Sequence, residues 1–388
     1  MNRFRDLLLS LLVAMVALSS CRKEEEIIPS SRVRVGVPGR PGKIKGFFLL
    51  NEANMGSNKA TLDYYDYTTA FYTRNIYAER NPNVVKELGD VGNDLQIHGS
   101  RLYAVINVSG LIEVMDVRTA KHIGKLSIPN CRYIAFKDGF AYVSSYAGPV
   151  KIDPNARLGY VAKVDTATLK VVAECPVGYQ PEELLIHGDK LYVANSGGYR
   201  APNYDKTISI IDLKTFTEEK QVDVAINLHR LQLDNYGKIW ASSRGDYKDV
   251  PSRLFVFDPK SERVTKTLEV GCSNMALSGD SLFVYSSEWS YLTGKNTISY
   301  TVIDTKKQEV VDRNFIKDGT DKEIQLPYGL AINSEQGELY LTDAQDYVHP
   351  GQLHCYDLKT GRRKWSVKTG DIPAHIAFTT QPLQPLHH

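Results

Sequence analysis

The sequence has little cysteine, no excess of charge of either sign and only one long apolar run. Five cysteines among 388 residues are too few for the disulfide scaffold that small secreted domains use. Lysine and arginine number 47 against 45 acidic residues, so no basic excess is available to neutralise many phosphates. Glycine (28) and proline (17) are near ordinary usage, which excludes collagen-like and low-complexity chains. We therefore expect a globular protein with no nucleic-acid partner.

Catalytic motifs are equally scarce. The chain contains no Cys-x-x-Cys pair, no His-Glu-x-x-His, no phosphate-binding glycine loop and no nucleophile elbow. The sequence therefore favours a protein that is not an enzyme and that carries no catalytic cofactor.

The one long apolar run lies at the N-terminus, at residues 7–18 behind two arginines. It is shorter than the roughly 20 residues that a bilayer span needs, so it predicts a secretory signal. The run ends in Leu18–Cys21, which resembles a bacterial lipobox, where cleavage precedes a cysteine that then carries lipid. We expect residues 1–20 to be a lipoprotein signal peptide and Cys21 to be lipidated. The alternative is an ordinary signal peptide that happens to contain a cysteine.

A charged, mostly acidic run follows at once, at Arg22–Glu26. It resembles the surface-export signal of Bacteroidetes lipoproteins, and it also suits a solvated tether. Residues 27–43 contain three prolines and three glycines without periodicity, which indicates a flexible spacer. We therefore assign residues 21–45 to the lipidated cysteine and a spacer. The expected location is the outer membrane, surface-exposed and held through the lipid anchor alone.

The rest of the chain repeats one short pattern seven times, usually two apolar residues, an aspartate and a turn. The aspartates recur every 46 to 53 residues, a period typical of four-stranded propeller blades. They are Asp66, Asp116, Asp165, Asp212, Asp258, Asp304 and Asp357. Because each follows a strand at a turn, we interpret them as turn residues that bond backbone N–H groups, not as catalytic groups.

The order of strands within each unit is also legible. A short apolar strand such as residues 133–136 is followed by a polar turn and a second strand rich in aromatic and β-branched residues, such as 191–194. The N-terminal unit starts at its second strand, residues 47–50, whereas residues 375–378 form an orphan first strand at the C-terminus.

This order predicts an all-β fold, a seven-bladed β-propeller of four-stranded blades over residues 46–380. The C-terminal strand completes the N-terminal blade and closes the ring, and residues 381–388 form a tail. A row of separate small β domains is the alternative, but each unit would be marginally stable alone.

The long connections between second and third strands carry many aromatic residues. They share one face with the fourth-to-first connections, at the mouth of the central channel where propellers usually bind ligands. Such rings combine large contact area with a polar handle, which favours a recognition surface. The candidate ligand-binding residues are Tyr146, Asn195, Tyr199, Tyr204, Arg230, Arg244, Tyr247, Trp289, Tyr291 and Tyr347. The alternative is that the tyrosines fill gaps between blades and that the arginines are solvated or lie between blades.

A metal site receives weaker support. Glu52, Asn195 and Asp343 follow second strands near the channel mouth, and such oxygen ligands could hold Ca²⁺. The equivalent positions in other blades lack carboxylates: Ile106, Ser145, Ser243 and Ser286. We therefore expect no metal.

The remaining cysteines are not expected to form a bridge within a blade. Cys131 and Cys175 fall on strands that two others separate, about 14 Å at ~4.8 Å per strand, which is too far for a disulfide. We therefore expect no disulfide, with pairs across blades that involve Cys272 or Cys355 as the alternative.

Residues 191–195 and 207–212 resemble the repeats of YncE-like, YVTN-type seven-bladed propellers, and the resemblance extends over residues 46–380. With the lipobox and the acidic run, the chain resembles the Bacteroidetes surface-layer-like lipoproteins of this group. Some of these are surface corrinoid-binding proteins, which capture vitamin B12 and sit as a lid on a TonB-dependent outer-membrane transporter. The resemblance implies a corrinoid ligand and such a transporter as partner. A surface module for protein or glycan binding and a lactonase-type metal-dependent hydrolase are the alternatives.

Overall fold

The computed structural model describes residues 30–84, 87–290 and 295–385, whose strands form seven antiparallel sheets. Each sheet is one blade of a closed ring, so the predicted all-β, seven-bladed propeller is confirmed. The signal peptide, Cys21, the run Arg22–Glu26 and Tyr291 lie outside the described residues. In the described part of the chain, no helix is long and apolar enough to cross a membrane.

The blades are numbered in chain order. Blade 1 contains β1 (Ser31–Arg34), β2 (Gly46–Asn51), β3 (Thr61–Asp66), β4 (Phe71–Arg74) and, from the C-terminus, β29 (Pro373–Thr379). Blade 2 contains β5 (Gly92–His98), β6 (Arg101–Ile106), β7 (Leu111–Asp116) and β8 (His122–Ser127). Blade 3 contains β9 (Cys131–Lys137), β10 (Phe140–Ser145), β11 (Tyr160–Asp165) and β12 (Lys170–Pro176). Blade 4 contains β13 (Pro181–His187), β14 (Lys190–Asn195), β15 (Thr207–Asp212) and β16 (Thr217–Asp223).

The remaining blades follow the same order. Blade 5 contains β17 (Leu228–Leu233), β18 (Ile239–Ser243), β19 (Arg253–Asp258) and β20 (Arg263–Leu268). Blade 6 contains β21 (Asn274–Ser278), β22 (Ser281–Ser290), β23 (Lys295–Asp304) and β24 (Glu309–Asp312). Blade 7 contains β25 (Pro327–Asn333), β26 (Glu338–Asp343), β27 (Pro350–Asp357) and β28 (Arg363–Asp371). Within the described ranges, a short helix, α1 (Ile76–Arg80), and a 3-10 turn (Thr320–Glu323) accompany the strands.

The ring is closed by the antiparallel pairing of β2 with β29, as predicted from the orphan strand. Phe47 lies opposite Phe378 and Leu50 lies opposite His375. The ring of Phe47 also packs 4.8 Å from that of Tyr340 in blade 7, so aromatic contacts join both sides of the seam. The closure leaves no exposed sheet edge between the first and last blades.

The core consists of apolar layers between neighbouring blades. Leu62 and Leu102 share the layer between blades 1 and 2, and Trp240 packs with Val284 between blades 5 and 6. Side chains alternate across a strand, so each blade needs apolar residues on both faces. Second strands such as β2 are consequently buried along their whole length and read as continuous apolar runs.

The repeated aspartates are turn residues, as expected. The Oδ1 atom of Asp212 accepts hydrogen bonds from the backbone N–H groups of Lys214 (2.9 Å) and Thr215 (3.0 Å). The same kind of bond recurs at Asp66, Asp116, Asp165, Asp258, Asp304 and Asp357. These side chains terminate the third strands and face away from the channel mouth.

Part of the segment expected to be a spacer is instead a strand. Residues of β1 pair antiparallel with β4, with Ser31 opposite Arg74 and Arg34 opposite Phe71. All four side chains of β1 are exposed, so the strand shows no apolar alternation that would predict it. Backbone hydrogen bonds to the edge of blade 1 hold it in place.

The described part of the predicted tail is also attached. The backbone N–H of Gln384 donates to the carbonyl oxygen of Arg118 at 2.7 Å. The N–H of Leu383 donates to the hydroxyl of Tyr64 at 3.2 Å, which fixes the tail across blades 1 and 2.

Blade 6 carries an extended hairpin within one of the long connections that the sequence indicated between second and third strands. The pairing of β22 with β23 continues from Ser287 opposite Ile298 to Ser290 opposite Lys295. β22 and β23 are therefore ten residues long each, whereas the second and third strands of the other blades have five to eight residues.

The four cysteines among the described residues are free and buried: Cys131, Cys175, Cys272 and Cys355. Burial raises the pKa of the Cys131 thiol to about 12, which makes it a structural rather than a reactive thiol.

Candidate functional site

The first strands of the blades line the central channel, and each begins at the face where the long connections lie, here called the mouth face. Near this end, several first strands show a break in register against the second strand. Breaks lie between Pro181 and Leu184 in β13 and between Leu228 and Leu231 in β17. Such bulges turn side chains away from the sheet, and here they bring polar residues together at the channel mouth. This channel cluster comprises Glu52, Arg132, Tyr133, Glu182, Glu183, His229, Arg230, Arg244, Tyr328 and His375.

Glu182 accepts hydrogen bonds from several side chains in one half of the channel cluster. Its Oε2 atom accepts hydrogen bonds from Nε (3.1 Å) and Nη2 (2.9 Å) of Arg132, a bidentate pair across a blade boundary. Its Oε1 atom accepts from Nη1 of Arg244 at 3.0 Å and from the hydroxyl of Tyr146 at 2.5 Å. Burial alone would raise the pKa of Glu182, but the two arginines and the Tyr146 hydroxyl lower it to about 2. The carboxylate is therefore charged at neutral pH.

His229 occupies the same half and is buried. Its Nε2 atom lies 3.0 Å from the hydroxyl of Tyr133. Burial, together with the nearby charges of Arg244 and Arg230, holds the pKa of His229 well below 6.5. The imidazole is therefore neutral at neutral pH and acts as a hydrogen-bonding group.

Arg230 and Glu183 form an ion pair without a direct hydrogen bond. The Nη1 atom of Arg230 is 3.8 Å from Oε1 of Glu183, beyond hydrogen-bond distance. The guanidinium carbon of Arg230 lies 5.3 Å from the ring centre of Tyr133. Burial raises the pKa of Glu183, against the lowering effect of Arg230 and of the Leu231 backbone N–H.

The other half of the cluster is built around Glu52. Its Oε2 atom accepts a hydrogen bond from the hydroxyl of Tyr328 at 2.7 Å, and its Oε1 atom lies 3.0 Å from Nε2 of His375. Since His375 belongs to the closing strand β29, the closure of the ring also completes this part of the site.

The three candidate metal ligands do not converge. The Nδ2 atom of Asn195 donates to the hydroxyls of Thr207 (2.9 Å) and Ser209 (2.8 Å). The carboxylate of Asp343 accepts from the backbone N–H of Leu326 at 2.8 Å, so it shapes its own connection. Over the described residues, no group of three or more His, Cys, Asp or Glu side chains is arranged to hold a metal ion.

Exposed aromatic rings stand around the channel cluster on the mouth face. Tyr247, Trp289 and Tyr347 are 58%, 55% and 42% exposed. The ring of Tyr347 meets that of Tyr328 edge-on at 6.0 Å, which links this rim to the channel cluster. These three residues form the aromatic rim.

Two residues of the aromatic rim lie in turns of the same kind. Tyr247 and Tyr347 have positive φ angles of 63° and 65°, a conformation that L-residues adopt at a cost. Each directly follows an aspartate that caps the turn. The Oδ1 atom of Asp246 accepts from the backbone N–H of Lys248 at 2.9 Å, and that of Asp346 accepts from Val348 at 3.0 Å. The turns therefore fix both rings outward.

The predicted binding residues that the structure describes differ in exposure. Tyr146 and Asn195 are buried, so neither offers a free surface, and Tyr146 acts on the cluster through Glu182. Tyr199 and Tyr204 are half-buried, and the Tyr199 ring lies 6.2 Å from that of Tyr146. The residues that face the channel or solvent are Arg230, Arg244, Tyr247, Trp289 and Tyr347.

The sequence did not single out Glu182, Glu183 or His375. One sequence pattern could have indicated such residues. Two polar residues in a row stand near the start of a first strand, as in Glu182–Glu183 and His229–Arg230, and the apolar residues of the strand follow them. The pattern indicates a channel site only if the strand has a bulge. In a regular strand, side chains alternate between the two faces, so one residue of each pair would point between the blades.

A separate groove of about 540 Å³ lies on the outer flank, between β1 and β28. It is lined by Arg34, Arg74, Trp365 and Lys368 among others, and by none of the predicted binding residues.

Residues 45–379, which make up the whole propeller, match the model of the protein family DUF5074. This family is described as a domain of unknown function. No curated protein matches the sequence.

Solved structures share the fold at low identity. Hydrazine synthase from Kuenenia stuttgartiensis is 19% identical, with a TM-score of 0.57 over 69% of this chain and 77% of that one. Apo AztD from Citrobacter koseri is 10% identical, with a TM-score of 0.52 over 87% of this chain and 99% of that one. The WD40 domain of Pan2 from Neurospora crassa is 13% identical, with a TM-score of 0.50 over 75% of this chain and 80% of that one. These similarities show the propeller fold alone.

Proposed function

The chain belongs to the DUF5074 family, and we propose that this member is a binding protein whose mouth face takes a large amphipathic ligand without changing it chemically. The observation that carries the proposal is the aromatic rim of Tyr247, Trp289 and Tyr347 around a polar, ion-paired channel cluster. Such an arrangement suits a ligand with broad apolar surfaces and polar groups at its edge.

We further propose that the ligand is a corrinoid, carried as cargo. This follows the resemblance to surface corrinoid-binding lipoproteins and the chemistry of the molecule, a large amphipathic ring edged by carboxamides. The aromatic rim would cover its apolar surfaces. Arg230, which opens to the channel, would meet its polar groups.

Delivery to a TonB-dependent outer-membrane transporter is supported by the path of the N-terminal segment. Ser31 lies opposite Arg74, the end of β4 at the mouth face, so the chain enters blade 1 from that face. The ten steps from Cys21 to Ser31 reach at most about 35 Å when extended. A lipid on Cys21 would therefore hold the mouth face toward the outer membrane, where a transporter could receive the ligand.

The test is a titration of cyanocobalamin into the chain from residue 22 onward, followed by calorimetry and by retention of red colour on a desalting column. We expect Trp289→Ala, Tyr247→Ala or Tyr347→Ala to weaken binding by about tenfold or more, which corresponds to roughly 1.4 kcal/mol. Tyr236→Ala is the matched control, because Tyr236 is a similarly exposed tyrosine in a first-to-second turn on the opposite face. Absence of both heat and colour with the wild type would refute the corrinoid.

One observation favours a second candidate function, binding of a protein or glycan. The hairpin of β22 and β23 projects from the mouth face and carries the exposed Trp289. If cyanocobalamin does not bind, a Trp289→Ala variant that loses cell-surface capture of a macromolecule would support this alternative.

A further inference from the structure

Arg230 differs from the other two arginines of the channel cluster. Arg132 and Arg244 both donate to Glu182. The guanidinium of Arg230 donates no hydrogen bond to any of the described residues, and its Nε atom is buried without a partner. A guanidinium has five donors, and leaving buried ones unpaired costs free energy. The protein therefore keeps a set of donors available at the channel mouth.

Glu183 offers a matching acceptor beside it. Its Oε2 atom accepts from the backbone N–H of Leu231 at 2.8 Å, whereas Oε1 lies 3.8 Å from Nη1 of Arg230. The side chains of Arg230 and Glu183 are 14% and 27% exposed, so both reach the channel. A donor fork and a carboxylate oxygen thus stand next to each other without satisfying each other.

Both groups are held in place by their neighbours. The ring of Tyr133 supports the guanidinium of Arg230, and the hydroxyl of Tyr133 is itself bonded to His229. The Leu231 backbone N–H fixes Glu183. Binding would therefore require little ordering of these side chains, which favours affinity.

We propose that Arg230 and Glu183 form a recognition pair for a carboxamide group of the ligand, an inference that rests on the mouth face being the binding site. A carboxamide carries an acceptor oxygen and N–H donors on one carbon, so its oxygen can accept from Arg230 while its N–H donates to Glu183. An anionic group would match Arg230 but would repel Glu183 and the nearby Asp94, whose charge also acts on Arg230.

The effect of replacing Glu183 separates a carboxamide from an anion. Glu183→Gln removes the negative charge and keeps the shape. For a carboxamide ligand it replaces a charge-assisted hydrogen bond by a neutral one, so binding weakens. For a carboxylate or phosphate it removes a repulsion, so binding tightens.

The experiment uses two kinds of probe on the chain from residue 22 onward. Cyanocobalamin is titrated by calorimetry, and the matched pair of nicotinamide and nicotinate is titrated while the arginine Nε–H signals are followed by NMR. We expect Arg230→Gln to weaken cyanocobalamin binding tenfold or more and Glu183→Gln to weaken it severalfold, about 1.4 kcal/mol per tenfold. Nicotinamide should shift the Nε–H signal that Arg230→Gln removes, and nicotinate should not. Arg263→Gln, an exposed arginine at the opposite end of blade 5, is the control.

Arg230→Lys keeps the positive charge if Arg230→Gln should fail to fold. It lacks the planar fork, so it should also lose binding. Tighter binding by Glu183→Gln, unchanged binding by the Arg230 variants, or a response to nicotinate but not to nicotinamide would overturn the recognition pair.

The outcomes distinguish the pair from the proposed function. If cyanocobalamin fails to bind but nicotinamide shifts the Arg230 signal, the corrinoid is wrong and the carboxamide pair stands. If cyanocobalamin binds and both Arg230 variants behave as wild type, the ligand is right and the pair is wrong. If neither probe acts on the wild type, both proposals are wrong.

Discussion

Replacing Glu182 by glutamine tests whether the channel cluster is an electrostatic unit. The variant keeps the size of the side chain but removes the carboxylate to which Arg132 and Arg244 both donate hydrogen bonds. Two half-buried guanidinium groups, with side chains 14% and 25% exposed, would then lose the carboxylate that lies between them. Removing one partner of a buried ion pair costs about 3 to 5 kcal/mol, because the remaining charge stays desolvated.

The pKa of Glu182 gives an independent magnitude. Its lowering from 4.5 to about 2 corresponds to a stabilisation of about 3 kcal/mol, which agrees with the range for a broken buried pair. At about 2.1 cal/mol/K of unfolding entropy per residue across the propeller, Glu182→Gln should lower Tm by roughly 4 to 7 °C.

The assay is thermal and urea unfolding of wild type and variant at neutral pH. Glu269→Gln is the matched control, because Glu269 also bonds an arginine, Arg253 at 2.7 Å, but is exposed. It should change stability by less than about 1 kcal/mol. Equal effects of the two substitutions would refute the argument that burial makes the Glu182 cluster strong.

The pH dependence supplies a second check on Glu182. Its pKa in the folded protein lies below its value of 4.5 in the unfolded chain, so its stabilisation is fully present above about 4.5. It is lost as the pH falls toward about 2. The stability gap between wild type and Glu182→Gln should therefore stay constant above that window and close within it. A gap that persists at about pH 2 would contradict the assignment.

Three further predictions concern the channel, the closure and the anchor. The pKa of His229 lies well below 6.5 in the folded state, so the free energy of unfolding should fall as the pH drops below 6.5. His229→Gln should reduce the slope of this fall, measured by urea titration, by up to about 1.4 kcal/mol per pH unit. An unchanged slope would contradict the prediction. Deleting all residues after Asp371 removes β29 and should lower Tm far more than deleting those after Thr379, and equal losses would refute closure by β29. Cys21→Ala should move the protein from the membrane fraction to the soluble fraction, because residues 7–18 are too short to span; retention in membranes would refute the lipid anchor.

The fold was predictable because its signal is periodic. Each blade repeats the same order of a buried first strand, a turn and an aromatic second strand, so errors at one blade are corrected by the others. The closing strand was visible because residues 375–378 match 133–136 but lack a unit of their own. The strand β1 was not predictable, since its side chains are all exposed and it is held by backbone hydrogen bonds to β4 and by the Arg32 guanidinium over the Phe71 ring.

The site was only partly predictable, because its geometry depends on non-local contacts. Trp289 and Tyr247 are exposed on the mouth face, as their polar surroundings indicated. Tyr146 also lies in a connection between second and third strands, but it is buried, because its hydroxyl donates a hydrogen bond to Glu182 of the next blade. No pattern within one blade reveals which side chain a neighbouring blade will bond. The register breaks that aim Glu183 and Arg230 into the channel are likewise set by tertiary packing.

The position of β1 has a mechanical consequence. It is a fifth strand on the outer edge of blade 1 and takes no part in the pairing of β2 with β29. Tension applied through the N-terminal segment acts first along β1, in shear against its hydrogen bonds to β4. If β1 gives way, and then the contacts that hold Val35, Gly39, Arg40 and Ile44 to blades 1 and 7, blade 1 still keeps four strands and the ring stays closed. Residues 31–45 would then add up to about 50 Å of extended chain to the tether, so we expect this segment to yield under load before the propeller does.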